Sequence, residues 1–203
     1  MSFNNNNNNN KIANKTLEHQ YTHTSFQEQL LKERAHSIRL LILDVDGVMT
    51  DGSLYYEDTG LCMKRFNVLD GIGIRLAKEA GLSIAIVSGM DVPCVERRLK
   101  DLGISDYHPG INNKHAHIDK LRTQKNLQWS EIAYVGDDWV DLAPMTSVGL
   151  PIAVDNAVPE VKELALYITK RKGGDGAIRE VIDLLLIYQN KKEALLHTWM
   201  NLK

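Results

Sequence analysis

Ile38-Arg39-Leu40-Leu41-Ile42-Leu43-Asp44-Val45-Asp46-Gly47 sets an apolar run of strand length against two carboxylates and a glycine. Broken only by Arg39 and Asp44, residues 38–45 read as a short strand buried on both faces, the pattern of a parallel sheet. Outward from it the chain alternates. Gly71 to Ala80 predicts a helix and Leu82 to Val87 a strand; Val92 to Leu102 and Lys114 to Lys125 predict helices, and Ile132 to Val135 a further strand. Pro151 to Val154 and Tyr167 to Thr169 read as brief strands, Pro159 to Ala165 as a short helix and Ala177 to Tyr188 as a final amphipathic one. Short strands separated by helices of this length predict βαβ units and an α/β fold with a parallel sheet. One stretch departs from the alternation. Residues 52–68, rich in Leu, Tyr, Phe and Val, are interrupted by Asp58-Thr59-Gly60, which predicts a β-hairpin inserted after the first strand.

The flanks read differently. Asn4 to Asn10 is a homopolymer that buries no apolar surface, so residues 1–37 are expected to be a disordered Asn-rich leader followed by a short helix. Ser25-Phe26-Gln27-Glu28 supplies a capping-box pattern for that helix, which runs to about Ala35. Residues 38–190 form the expected catalytic domain and 191–203 a C-terminal tail. The 24 Lys and Arg balance 26 Asp and Glu to a net charge of −2, which argues against a nucleic-acid or anionic-membrane footprint. Cys62 and Cys94 make no disulfide framework, and there is neither a signal-peptide pattern nor an apolar run of membrane-spanning length. A reducing cytoplasm is the expected compartment.

Open α/β sheets bind ligands outside the carboxyl ends of their strands, so the residues just past each strand carry the functional signal. The first strand runs into Asp44 and Asp46, the second into Ser88-Gly89, and the strand from Ile132 into Gly136-Asp137-Asp138 with Asp141 three further on; Lys114 opens a helix between the last two. Like-charged carboxylates share a pocket while ionised only if a cation neutralises them, so Asp44 and Asp137 together predict a hard metal such as Mg2+. Ser88, Lys114 and the backbone N–H groups around Gly47 and Gly89 would hold phosphate oxygens. Asp44 is then placed to attack phosphorus as a carboxylate nucleophile, and Asp46 to protonate the leaving alkoxide and later deprotonate water.

Competing readings of single motifs are weaker. Asp-x-Asp alone is also a solvated turn or the metal motif of a nucleotide-sugar transferase. An EF-hand fails because Met49 stands where the loop glycine belongs and Tyr55 where the final Glu belongs. A dinucleotide fingerprint fails because Leu76 takes the third glycine's place after Gly71 and Gly73, which read instead as a helix start. His115 and His117, two apart on a helix, face away from each other and are expected to be solvated. Cys94 and Cys62 lack the setting of a nucleophilic thiol and are expected to pack.

Taken in order, Asp44-Val45-Asp46-Gly47-Val48-Met49-Thr50-Asp51-Gly52, Ser88-Gly89, Lys114 and Gly136-Asp137-Asp138-x-x-Asp141 resemble the four motifs of the haloacid dehalogenase superfamily of phosphatases. With Phe66-Asn67-Val68, Asp70-Gly71 and Gly173-Gly174-x-Gly176-Ala177, the chain from Ile38 to Asn190 is similar to the 3-deoxy-D-manno-octulosonate 8-phosphate phosphatases of bacterial lipopolysaccharide synthesis. The resemblance implies a Rossmann-like sheet without a cap domain, and Mg2+ held by the carboxylates of Asp44 and Asp137 and the backbone carbonyl of Asp46. It implies Ser88, Gly89 and Lys114 on phosphate, with Asp138 and Asp141 behind them, one holding metal-bound water and the other orienting Lys114. It also implies a homotetramer in which hairpins complete neighbouring sites. That fits a chain whose inter-motif segments are too short for a cap and whose hairpin is marginally stable alone.

Three positions depart from the family. Met90 and Leu69 stand where relatives usually carry Arg, removing positive charge near where a sugar-acid carboxylate would lie, and Asp175 replaces a residue that is often basic. The eight-carbon sugar-acid phosphate is therefore the leading expected substrate, a nine-carbon 2-keto sugar acid 9-phosphate the alternative. A non-catalytic oligomeric phosphate-binding scaffold is the alternative of another class.

Overall fold

The computed structural model describes residues 26–201. The Asn-rich leader and Ser25 of the expected capping box lie outside the described residues. Helix α1 spans residues 26–37, and β1 (Leu40–Leu43) comes next, with all four side chains fully buried. Each such aliphatic side chain contributes about 1.5–3 kcal/mol by leaving water. The hairpin strands β2 (Tyr55–Glu57) and β3 (Gly60–Met63) pair antiparallel. Then come α2 (Val68–Glu79), β4 (Ser83–Val87), α3 (Pro93–Asp101), β5 (Tyr107–His108), α4 (Lys114–Gln124) and β6 (Ile132–Gly136). The chain closes with α5 (Leu142–Met145), β7 (Leu150–Ala153), α6 (Pro159–Leu164), β8 (Tyr167–Ile168), α7 (Ala177–Tyr188) and α8 (Lys192–Met200).

The main sheet has six strands in the order β5-β4-β1-β6-β7-β8, every pair parallel. From β1 the chain first steps one way, to β4 and β5, and later the other way, from β6 to β7 and β8. Right-handed crossovers running in opposite directions put their helices on opposite faces of the sheet. The reversal leaves a crevice at the carboxyl end of β1, between β4 and β6, and this is where a doubly wound sheet binds its ligand.

The structure corrects four expectations. It adds β5, which the sequence does not announce, because two residues of Tyr-His carry no strand periodicity. Helix α2 begins at Val68 rather than at Gly71: Asn67 caps it, its side chain accepting from the Leu69 N–H. Gly73 serves packing instead, since a Cβ there would stand 3.2 Å from the Cα of Arg179 on α7. The stretch expected as a tail is helical: α8 is tied back by Trp199 Nε1, which donates to Glu79 at 2.7 Å, and by Arg75 over the Trp199 ring. His115 and His117 are not simply solvated either. His115 stacks on Trp129 and bonds Ser147, and the His117 ring lies 4.5 Å from that of His108. Cys94 is a half-buried free thiol packed on the core, as expected.

Candidate active site

Three adjacent strands deliver the crevice its side chains. Asp44 follows β1, Ser88 follows β4 and Asp137 follows β6, and the registers Leu43↔Ile86 and Leu43↔Val135 hold the three strand ends level. Lys114, the first residue of α4, reaches in from the side. Its Nζ lies 2.8 Å from Asp44 Oδ1 and 2.7 Å from Asp141 Oδ1, and all three side chains are nearly or fully buried.

Asp141 is the hub of this network. Its Oδ1 also accepts from the buried Tyr134 hydroxyl at 2.6 Å, while its Oδ2 accepts from the backbone N–H groups of Asp137 at 2.9 Å and Asp138 at 3.4 Å. A carboxylate offers about four acceptor directions, and these four bonds fill them. Asp138 is exposed, and its side chain caps the short turn Trp139–Asp141 by accepting from the Trp139 N–H.

The loop after β1 is stitched from several sides. Thr50 donates to the Val45 carbonyl and accepts from the N–H of Gly47 and of Gly52. Asn156 Nδ2 donates to the Gly47 carbonyl at 2.9 Å, and its Oδ1 accepts from the Gly173 N–H at 2.6 Å. Gly47 has φ of 76°, and a side chain there would run into the Asp137 carboxylate; a side chain on Gly173 would run into the Gly47 carbonyl. Gly47 thus needs glycine for its left-handed φ as well as for the carboxylate against it, and Gly173 because the Gly47 backbone comes so close.

Asp46 has a different partner. Lys64, one residue past β3, places Nζ 2.6 Å from Asp46 Oδ1 and 2.8 Å from Oδ2, and its third neighbour is Met90 Sδ at 3.8 Å. Ser88 is buried, its Oγ accepting from the Met90 N–H, while Gly89 is exposed beside it.

The electrostatics are unbalanced. Asp44, Asp137 and Asp141 can bring ligand oxygens within 4.8 Å of one another, and among the described residues only Lys114 ion-pairs with them. Burial, and then the charge of Asp141, push Asp44 up to about 7 against the pull of Lys114. Burial, and then Asp44, Asp141 and Asp138, push Asp137 up to about 8. Burial works to strip the proton from Lys114, but Asp44 and Asp141 outweigh it and raise its pKa. An oxygen-only donor set with two uncompensated negative charges suits a hard divalent cation. Because Asp141 is spent on hydrogen bonds, Asp44 and Asp137 are the side chains left to meet it.

Every sequence-predicted site residue lies at this one edge of the sheet: Asp44, Asp46, Ser88, Gly89, Lys114, Asp137, Asp138 and Asp141. Sequence reasoning missed Lys64, Tyr134 and Asn156. Asn156 lies just past β7, so the strand-end rule extended by one strand would have found it. Tyr134, inside a buried strand, and Lys64, beside Arg65, gave no such signal.

Known proteins resemble the chain closely enough to place it. Residues 107–182 match the haloacid dehalogenase-like hydrolase family. The 3-deoxy-D-manno-octulosonate 8-phosphate phosphatase of Yersinia pestis is 43% identical over 161 residues, 79% of this chain and 86% of that protein. The chain belongs to the 3-deoxy-D-manno-octulosonate 8-phosphate phosphatase family. The namesake enzyme of Escherichia coli K12 is 44% identical over 158 residues, 78% of this chain and 84% of that one. The Moraxella catarrhalis 3-deoxy-D-manno-octulosonate 8-phosphate phosphatase, solved with magnesium, phosphate and KDO, superposes with a TM-score of 0.81 at 36% identity, over 83% of this chain and 97% of that one. This family member is thus a phosphatase, and its acidic cluster sits where such an enzyme needs a cation.

Proposed function

We propose that this phosphatase hydrolyses 3-deoxy-D-manno-octulosonate 8-phosphate to the free sugar acid and phosphate, in the cytoplasm, as a step of lipopolysaccharide precursor synthesis. The observation that carries the reading is the pairing of Asp44 and Asp137 at the crevice of the sheet, with Lys114 joining Asp44 to Asp141, in a chain so similar to enzymes of that name. Asp44 and Asp137, with the backbone carbonyl of Asp46, would hold Mg2+. Bound there, the ion neutralises the two excess charges and screens the phosphate from the nucleophile.

The chain's own groups then divide the work. Asp44 attacks phosphorus, forming an acyl phosphate as the ester P–O bond breaks, and Asp46 delivers its proton to the departing alkoxide. Asp46 takes a proton from the incoming water, which attacks the same phosphorus and releases phosphate, regenerating Asp44. Lys114 holds the Asp44 carboxylate in place and offers its charge to the phosphate, together with Ser88 and the Gly89 N–H. Asp141 fixes Lys114, and Asp138 shapes the turn beside the metal. We take residues 38–190 as the catalytic unit, a span that contains all of these residues and their supports.

The exposed Leu54, Tyr55, Tyr56 and Met63 of the hairpin favour a homotetramer in which each hairpin packs on a neighbour and completes its site. Among the described residues no helix is long and apolar enough to cross a membrane. Met90 and Leu69 favour one second reading, a nine-carbon 2-keto sugar acid 9-phosphate as substrate. Measuring kcat/KM for the two substrates side by side tests the proposal. A preference of tenfold or more for the eight-carbon ester is expected, and the reverse preference would replace it with the second reading.

A further inference from the structure

Each carboxylate of Asp44-Val45-Asp46 has a lysine of its own. Lys114 grips Asp44 from α4, and Lys64 grips Asp46 from the root of the hairpin. The second pair is not an ordinary surface ion pair: the Lys64 side chain is 0% exposed, whereas that of Asp46 is 32% exposed. Burying an ammonium costs several kcal/mol unless it is paired in good geometry, and here two of its hydrogens meet both oxygens of one carboxylate at 2.6 and 2.8 Å. The Lys64 backbone is also fixed. Two residues on, Phe66 forms an antiparallel bridge with Thr50, whose hydroxyl is bonded to Val45 and Gly47 of the catalytic loop.

From this we infer that Lys64 is a positioning residue: it holds the Asp46 carboxylate in the orientation that serves proton transfer to the leaving oxygen and later from the incoming water, and so makes that half of the chemistry depend on the hairpin. The inference rests on the acid–base role proposed for Asp46. Gripped on both oxygens, the carboxylate has its rotation about the side-chain bonds arrested, while about a third of the side chain stays open to solvent. Asp44 is held independently, so the attack on phosphorus does not depend on Lys64. The two lysines thereby separate the nucleophile from the proton carrier, though only one residue lies between them in the chain.

The separation gives a readout that a merely structural role would not move. An alkyl phosphate leaves as an alkoxide and needs a proton, whereas p-nitrophenyl phosphate leaves as a stable anion and does not. General acid catalysis contributes roughly 10²–10⁴-fold. Lys64→Met, of similar length, is expected to lower kcat/KM for the sugar-acid phosphate by about 30–300-fold and that for p-nitrophenyl phosphate by less than about threefold, both with Mg2+ saturating. Lys64→Gln, which keeps a donor to one oxygen, is expected to fall between Met and wild type, and it serves as the test should the Met variant not fold. Asp46→Asn is the control for the underlying reading and should show the same selective loss; combined with Lys64→Met, it should lose little more than it does alone. Equal loss on both substrates, or loss on neither, in folded Lys64 variants would overturn the inference while leaving Asp46 in its role. No leaving-group selectivity in Asp46→Asn would overturn the acid–base reading itself.

Discussion

Adding Mg2+ to the metal-free enzyme is expected to expel protons into the solvent. Three buried or half-buried carboxylates face one ammonium, an excess of two negative charges, and the protein answers by holding Asp44 up to about 7 and Asp137 up to about 8. Both groups must be ionised to meet the cation. With those values, roughly 1.4 protons are bound by the pair at pH 7 and about 0.6 at pH 8, and that many leave for each ion bound. The sign follows directly: raised carboxylate pKa values mean that acid competes with metal, so affinity climbs as pH rises through the window and levels off above it. The expected gain in apparent affinity is about 50-fold from pH 6 to 7 and about tenfold from pH 7 to 8. Titration calorimetry at pH 7 in two buffers of different ionisation enthalpy reads the proton count from the difference in heat. Identical heats in the two buffers, or an affinity flat between pH 6 and 8, would refute the charge-balance reasoning.

Other substitutions probe single contacts. Asp44→Asn should cut Mg2+-dependent release of phosphate from p-nitrophenyl phosphate by at least ~10³-fold with the far-ultraviolet dichroism unchanged; residual activity within tenfold of wild type would remove Asp44 as nucleophile. Asp141→Asn cannot accept from Lys114 and Tyr134 on one side and from the Asp137 and Asp138 N–H groups on the other, so it should destabilise the fold by about 3 kcal/mol in urea unfolding. A loss below 1 kcal/mol would mean that relief of carboxylate repulsion dominates. Asp70, buried in the first turn of α2 against the start of α7, where its Oδ1 accepts from the Arg179 N–H, is pushed up to about 6 by burial. Its stabilising share is present at acid pH and is lost as pH rises through about 6, so Asp70→Asn should gain on wild type by about 2 kcal/mol between pH 4 and pH 7.5, and a gap constant with pH would contradict this. Gly173→Ala should cost about 2–4 kcal/mol and most of the activity, because the new methyl group displaces the Gly47 carbonyl; a variant as stable and active as wild type would show that the loop yields.

How much of the fold and site was legible in the chain depended on whether a residue's role is local. Asp44, Ser88 and Asp137 could be read because an apolar strand announces its own end, and the residue just beyond that end in a parallel sheet faces the ligand. Helix α7 was legible to the residue, since its apolar face repeats cleanly from Ala177 to Tyr188. Gly71 and Gly73 misled because a glycine pair looks like a break, whereas α2 uses Gly73 to let α7 approach. Lys64 was illegible for a similar reason. In sequence it is one of two adjacent cations after a hairpin strand, the usual mark of a solvated edge; only the fold reveals that Arg65 takes the outside, at Asp51, and Lys64 the inside. Strand β5 escaped because its two residues owe their extended form to β4, whose Ile86 and Val87 they flank.

The contact between Gly47 and Gly173 bears on how the molecule is born. Asp44 is made before its supports, at the end of a strand destined for the middle of the sheet. The segments that fix its loop, carrying Asn156 and Gly173, emerge as much as about 130 residues later, some 6–26 s at ordinary rates of synthesis. By then β1 already has both its strand partners, β4 and β6, and the loop after it waits only for the contacts of Asn156 and Gly173. A nascent chain halted before Gly173 would carry every residue of the Asp44 and Asp137 cluster without the segment that closes on the loop after β1.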